Sequence, residues 1–302
     1  MPALQTLLSK GRRQPLSTDL TSCLFDLFHL QAETGHDWPV AALGALGEGL
    51  DAAGGWWLRA DPVHLVADRD QLYLSACHTL NVTRSEADEL VTELNRLYAE
   101  DGWQFIAAAP EHWYLRLPRP LAMRTIPTAV AMGCRVGEAL PQGDDALLFQ
   151  RAMTEIQMLL HASPVNARRS EQGLLAVNSL WFWGGGELPA ATAQSAWERV
   201  VADEPLVLGL ARLYGIDTET PASTSLASAA VASRVLWQAS VESLEQAEQA
   251  LFAPLLAMLK SGELAELVIL LPGLGRWQIE RAALRRWWQR RKPLSSLLKV
   301  AG

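Results

Sequence analysis

Residues 181 to 186 read Trp-Phe-Trp-Gly-Gly-Gly, and this run limits the fold more than any other. Three wide side chains in succession leave no polar face, so the segment suits a strand covered on both sides. Three glycines then give up backbone entropy with no side chain to bury, a cost offset only where something approaches the backbone closely. The run predicts a buried strand, Leu175 to Trp183, ending in a loop at Gly184, Gly185 and Gly186. Two readings of that loop stand: a nest of backbone N–H groups for an anion, or a tight turn packed between strand and helix.

The rest of the chain alternates strand-like and helix-like segments. Pro2 to Ser9, Leu24 to Leu30 and the Gly/Ala-rich stretch after Pro39 have helical spacing. The glycines at 44, 47 and 49 do not follow the G-x-G-x-x-G order and read as packing residues. Trp56 to Ala76 reads as successive strands. Thr83 and Glu86 form a capping box for a helix reaching Glu100, and two strands flank Pro110. After a Pro- and Gly-punctuated connector from Pro118 to Gly143 come an amphipathic helix over 144–162, strands at 175–183, 197–202 and 233–239, helices at 206–214 and 244–259, and the strand in "LAELVILLPG". This pattern predicts a mixed α/β sheet flanked by helices, with a smaller N-terminal α+β lobe over 1–120 and a C-terminal α/β lobe over 121–302.

Charge and cysteine usage narrow the class. The net charge is −7, yet the segment from Arg276 to Gly302 carries eight Lys/Arg against Glu280, or +7, leaving −14 on the remainder. That basic, Trp-rich end is a candidate protein-interaction surface. It can equally dock on the acidic body, and nucleic acid is not expected as a partner for an acidic protein. Cys23, Cys77 and Cys134 show no paired spacing and read as free thiols. No apolar run reaches the ~18 residues of a membrane span, and the N-terminus lacks a signal-peptide pattern, so a cytoplasmic location is expected.

Residues 164 to 189, "PVNARRSEQGLLAVNSLWFWGGGELP", resemble a segment of the archaeal-type cofactor-independent phosphoglycerate mutases at Asn166, Arg169, Gly173, Asn178, Gly184, Gly186 and Pro189. "LRADPVHL", "LPQGDDA", "TEIQMLLH", "NSLWFWGGGELP" and "RRWWQRRKPL" are similar to the RpfE-type regulatory proteins, a mutase-like bacterial family. The resemblance implies an alkaline-phosphatase-like α/β fold, a small phosphorylated or carboxylate ligand, and in the mutases a Ser or Thr nucleophile beside two divalent metals.

Departures from the mutase pattern shape the expected function. No Asp-His dipeptide occurs, no apolar strand near the N-terminus ends in Asp-Gly, and the family's arginine before the first glycine is Trp183. These gaps predict a non-catalytic regulatory or ligand-binding relative, a pseudoenzyme without metal or other cofactor; an active mutase or related phosphotransfer enzyme is the alternative. The expected ligand-binding residues are Asn166, Arg169, Asn178, Gly184, Gly185 and Gly186, with Asp61 and His64 as a candidate acid/base pair. Each has a structural alternative: Asn166 as a turn or cap residue, Arg169 paired with Glu171 or another acid, Asn178 satisfied by a structural hydrogen bond, His64 a strand residue. His29, Glu33 and His36 give a weak metal spacing.

Overall fold

The computed structural model describes the chain apart from residues 18, 32–34, 70, 192–194, 230–233, 242, 287, 288, 290 and 299–302. It is a mixed α/β protein with several sheets flanked by helices. Two compact units form: one from Met1–Gln31, Ala191–Val207 and Tyr214–Gly302, the other from Ala32–Ala190 and Leu208–Leu213. The connector from 118 to 143, where a lobe boundary was expected, lies inside the second unit. The cause is long-range pairing, since Ser179–Gly186 joins the same sheet as Trp56–Asp68.

That sheet organises the second unit. The 13-residue strand Trp56–Asp68 pairs antiparallel with Gln71–Ala76, Trp113–Leu117 and Ser179–Gly186, and Gln104–Ala107 adds beyond Trp113–Leu117. Successive side chains point to opposite faces. Leu58, Ala60 and Phe182 join a core with Leu90 and Leu94 of the helix Arg84–Leu97 and Phe149 and Ile156 of the helix Ala146–Ala162. Trp57 and Tyr114 pack with Ala41, Ala42 and Ala45 of the helix Val40–Gly47. With both faces covered, every residue from Trp56 to Val63 is buried, Arg59 and Asp61 among them, and each fully buried large apolar side chain contributes ~1.5–3 kcal/mol.

The first unit holds two smaller sheets. Gly275–Glu280 pairs antiparallel with Arg12–Gln14 and with Glu266–Leu271, and Arg199–Val201 lies parallel between Asp217–Glu219 and Val235–Trp237. Its core gathers Leu4, Leu7 and Leu8 of the helix Pro2–Lys10 with Leu256, Leu259, Trp277 and Ile279.

Three expectations change. Gly184–Gly186 are strand residues rather than a loop, because Gly186 still pairs with Trp57. A helix, Pro164–Glu171, starts where an end was expected; Ser163 caps it by accepting from the Val165 amide, and Pro164 occupies the first turn, where its missing N–H costs nothing. The expected helix 244–259 is Leu244–Ala247, a π-helical turn Glu248–Phe252, then Ala253–Ser261, with Pro254 removing a donor at the break. Ser233, Glu33, Trp287, Trp288 and Arg290, part of the expected strand, metal spacing and basic surface, lie outside the described residues.

Candidate functional site

The glycine run is narrow because other backbone and side chains crowd it. A Cβ on Gly184 would lie 3.0 Å from Val40 Cβ, one on Gly185 3.0 Å from Leu58 Cδ2, and one on Gly186 2.5 Å from Pro39 Cβ. Gly184 also has φ of +68°, open to glycine at little cost. The amides are taken up by this chain's own groups. Gly184 N–H donates to Thr125 Oγ1 at 3.0 Å. Asp37 accepts from the Thr125 amide at 3.0 Å, from the Thr125 hydroxyl, and from the backbone of Gly185. Burial pushes the Asp37 carboxyl above its ordinary value, against the Thr125 and Gly185 hydrogen bonds and the charge of Arg124.

Thr125 thus holds a hydroxyl whose proton points to a carboxylate while its oxygen receives a backbone N–H. Neither Asp37 nor Thr125 stood out in sequence. The signal was indirect: two polar residues, each two before a proline, in segments with no apolar pattern to explain them.

Asp61 sits one strand away and is 4% exposed. Its Oδ1 accepts from Arg59 Nε at 3.0 Å and Nη2 at 2.7 Å; its Oδ2 accepts from Thr128 Oγ1 at 2.5 Å and Trp183 Nε1 at 2.6 Å. Arg59 also donates to the Tyr114 hydroxyl at 3.1 Å and lies over that ring at 4.9 Å. Desolvation alone would lower the Arg59 pKa, but Asp61 and Tyr114 outweigh it and hold the guanidinium charged. The expected acid/base pair does not form: Asp61 has its acceptor capacity filled, while His64 Nδ1 lies 2.8 Å from Ala176 O.

Asn166, Arg169 and Asn178 serve the frame. Asn166 donates to the carbonyls of Leu160 and Val177, both at 2.8 Å, and accepts from the Val177 amide. Arg169 is fully buried and donates to Leu175 O, Leu80 O and Glu86 Oε2 at 2.8, 2.6 and 2.9 Å. Its partner is Glu86, 83 residues away, rather than Glu171, because the helix Pro164–Glu171 packs against the start of Arg84–Leu97. Asn178 mimics a strand residue by bonding both backbone groups of Leu65, at 2.7 and 2.9 Å.

Among the described residues no three His, Cys, Asp or Glu side chains lie close enough to hold a metal ion. The two-metal donor set that the family resemblance implies does not fit them, and no chemical step is routed through a metal. What the described groups can do is move a proton between a hydroxyl and a carboxylate beside a run of backbone amides.

No family model matches the chain. Over 132 residues it is 26% identical to a probable 2,3-bisphosphoglycerate-independent phosphoglycerate mutase of Geobacter sulfurreducens, covering 43% of this chain and 33% of that protein. A 59-residue stretch is 41% identical to the 2,3-bisphosphoglycerate-independent phosphoglycerate mutase of Methanothrix thermoacetophila, 20% of this chain and 15% of the relative. Another 101 residues are 33% identical to the 2,3-bisphosphoglycerate-independent phosphoglycerate mutase 1 of Archaeoglobus fulgidus, 30% of this chain and 25% of that protein. The chain therefore spans about a third or less of the length of these curated relatives. A solved cofactor-independent phosphoglycerate mutase from Thermoplasma acidophilum aligns with 100% of this chain and 88% of its own, at a TM-score of 0.49 and 16% identity.

The sequence similarity points to the cofactor-independent phosphoglycerate mutases in general and not to a regulatory subgroup. It overturns the expectation of a non-catalytic regulatory relative: the curated proteins matched are named as enzymes, and the pseudoenzyme reading had rested on local motif gaps alone. Among the described residues no helix is long and apolar enough to cross a membrane.

Proposed function

We propose that this chain is a phosphotransfer enzyme of the cofactor-independent phosphoglycerate mutase type, acting on a small phosphorylated carboxylate. Its similarity to curated mutases, 26% over the longest of the three matches and 41% over the shortest, is the observation that carries this reading. The Asp37–Thr125 pair supports it by supplying a hydroxyl nucleophile with its base already in contact. The narrower kinship with RpfE-type proteins and an alkaline-phosphatase-like sheet belong to this same proposal, without a regulatory role.

In the proposed reaction Thr125 Oγ1 attacks the substrate phosphorus and the bond from phosphorus to the substrate oxygen breaks. The hydroxyl proton passes to Asp37, which returns it to the departing alkoxide. The second half runs in reverse on the neighbouring hydroxyl of the glycerate, so atoms and protons balance and free Thr125 is regenerated. The Gly184 N–H, already bonded to Oγ1, favours the developing negative charge on that oxygen. A carboxyl held above its ordinary pKa is a better base than a free one. Arg124, whose charge acts on Asp37, is the cation beside the pair. Gly184 and Gly185 belong to the site through their amides; Gly186, Asn166, Arg169, Asn178 and His64 frame it.

Interconversion of 2- and 3-phosphoglycerate by the full chain, followed by phosphorus NMR with and without added divalent cations, tests the reaction. Turnover is expected in the unaltered protein, and Thr125→Val should lower it about 10²–10⁴-fold. Absence of turnover under every condition would overturn the enzymatic reading. Undiminished turnover in Thr125→Val would overturn the placement.

A further inference from the structure

Four consecutive residues, Thr125 to Thr128, are held at three points by the sheet and by Asp37. Thr125 bonds Asp37 and the Gly184 amide, Ile126 O accepts from Trp181 Nε1 at 2.8 Å, and Thr128 Oγ1 donates to Asp61. Asp61 in turn receives Trp183 Nε1, from the same strand as Trp181 and Gly184. The aromatic–glycine run is thus a rail along which this segment is fastened, and Asp61 is its far anchor.

A buried ion pair is a weak source of stability, because desolving both charges offsets most of their attraction. The Arg59–Asp61 pair, with side chains 10% and 6% exposed, is better suited to fixing position. Arg59 takes one carboxylate oxygen with two nitrogens and orients the other oxygen at Thr128 and Trp183. We infer that Asp61 is a positioning residue for the Thr125 hydroxyl: by fastening Thr128 it sets where Oγ1 stands against Asp37 and the Gly184 amide. This rests on the role given to Thr125 above.

Replacing Asp61 itself would strand the Arg59 charge in the core, so the cleaner change is at Thr128. Thr128→Val removes the one bond from the segment to Asp61 at nearly constant shape, and Thr128→Ser restores it. Two measurements on the full chain separate this inference from the proposed function. In hydrogen exchange followed by NMR, the Gly184 amide should lose about tenfold protection in Thr128→Val and regain it in Thr128→Ser, while the amides of Trp113–Leu117 hold theirs. In the mutase assay Thr128→Val should lower kcat about tenfold with KM unchanged, and Thr128→Ser should recover it. Unchanged Gly184 protection, equal loss across Trp113–Leu117, failure of serine to rescue, or a change confined to KM would each overturn the inference. If the unaltered chain turns nothing over, the proposed function fails and the exchange data alone decide whether Asp61 anchors the segment.

Discussion

A methyl group at position 186 would lie 2.5 Å from Pro39 Cβ and 2.9 Å from Pro39 Cα. Proline backbone has little room to retreat, so Gly186→Ala should cost ~1–3 kcal/mol by overpacking, seen as a lower urea midpoint with an unchanged slope. Asp37 makes a prediction of opposite kind. Acting as a base it must be ionised, and burial holds its carboxyl above the ordinary ~3.9. The acid limb of kcat/KM should therefore centre above that value, with rate rising as pH rises through it; Asp37→Asn should remove the limb along with most of the activity. A limb centred at or below ~3.9 would contradict the assignment. At this scale the sequence left Gly184–Gly186 open between an anion nest and a tight turn, and singled out Arg169 and Asn166 as ligand contacts or frame residues. It did not show their partners, because Glu86, Leu80 and Val177 are brought to them by packing, and nothing in the spacing of Asp37 and Thr125, 88 residues apart, marks them as neighbours.

The start of the helix Arg84–Leu97 ties local and long-range order together. Thr83 accepts from the Glu86 amide, Glu86 returns a bond to the Thr83 amide at 2.8 Å, and the same Glu86 oxygen receives Arg169. Burial alone would raise the Glu86 carboxyl, but Thr83 and Arg169 together hold it below its ordinary value. A lowered folded pKa means stability that is present above the unfolded value of ~4.3 and lost as pH falls through the folded one. Urea unfolding between pH 6 and 3 should accordingly show an acid loss that is shallower in Glu86→Gln. Thr83→Ala should cost ~1 kcal/mol at neutral pH, and combined with Glu86→Gln the two losses should fall short of their sum, since they share one network. The helix Arg84–Leu97, with its capping box, and the helix Ala146–Ala162, with its 3.6-residue apolar pattern, were legible in the sequence. The helix Pro164–Glu171 was not, because its polar face turns inward to a salt bridge and its start follows the preceding helix after a single residue.

Across the whole molecule the chain order and the spatial order diverge. The second unit draws on 32–190 and 208–213, so every group assigned to the site, from Asp37 to Gly185, lies within it. No composition shift announces that division; pairing of residues 57–63 with 179–186 creates it, and sequence spacing carries little information about which distant strands meet. The first unit has its own apolar cluster, with Leu259 fully buried among Leu7, Trp277 and Ile279. Leu259→Ala removes packing there without touching the Thr125–Thr128 segment or its anchors, and a cavity of that kind costs ~2–5 kcal/mol. The expected result is a lower midpoint for loss of Trp277 burial in urea, with kcat and KM at 25 °C unchanged while the protein stays folded. A fall in kcat matching that of Thr128→Val while the protein stays folded would contradict this expectation.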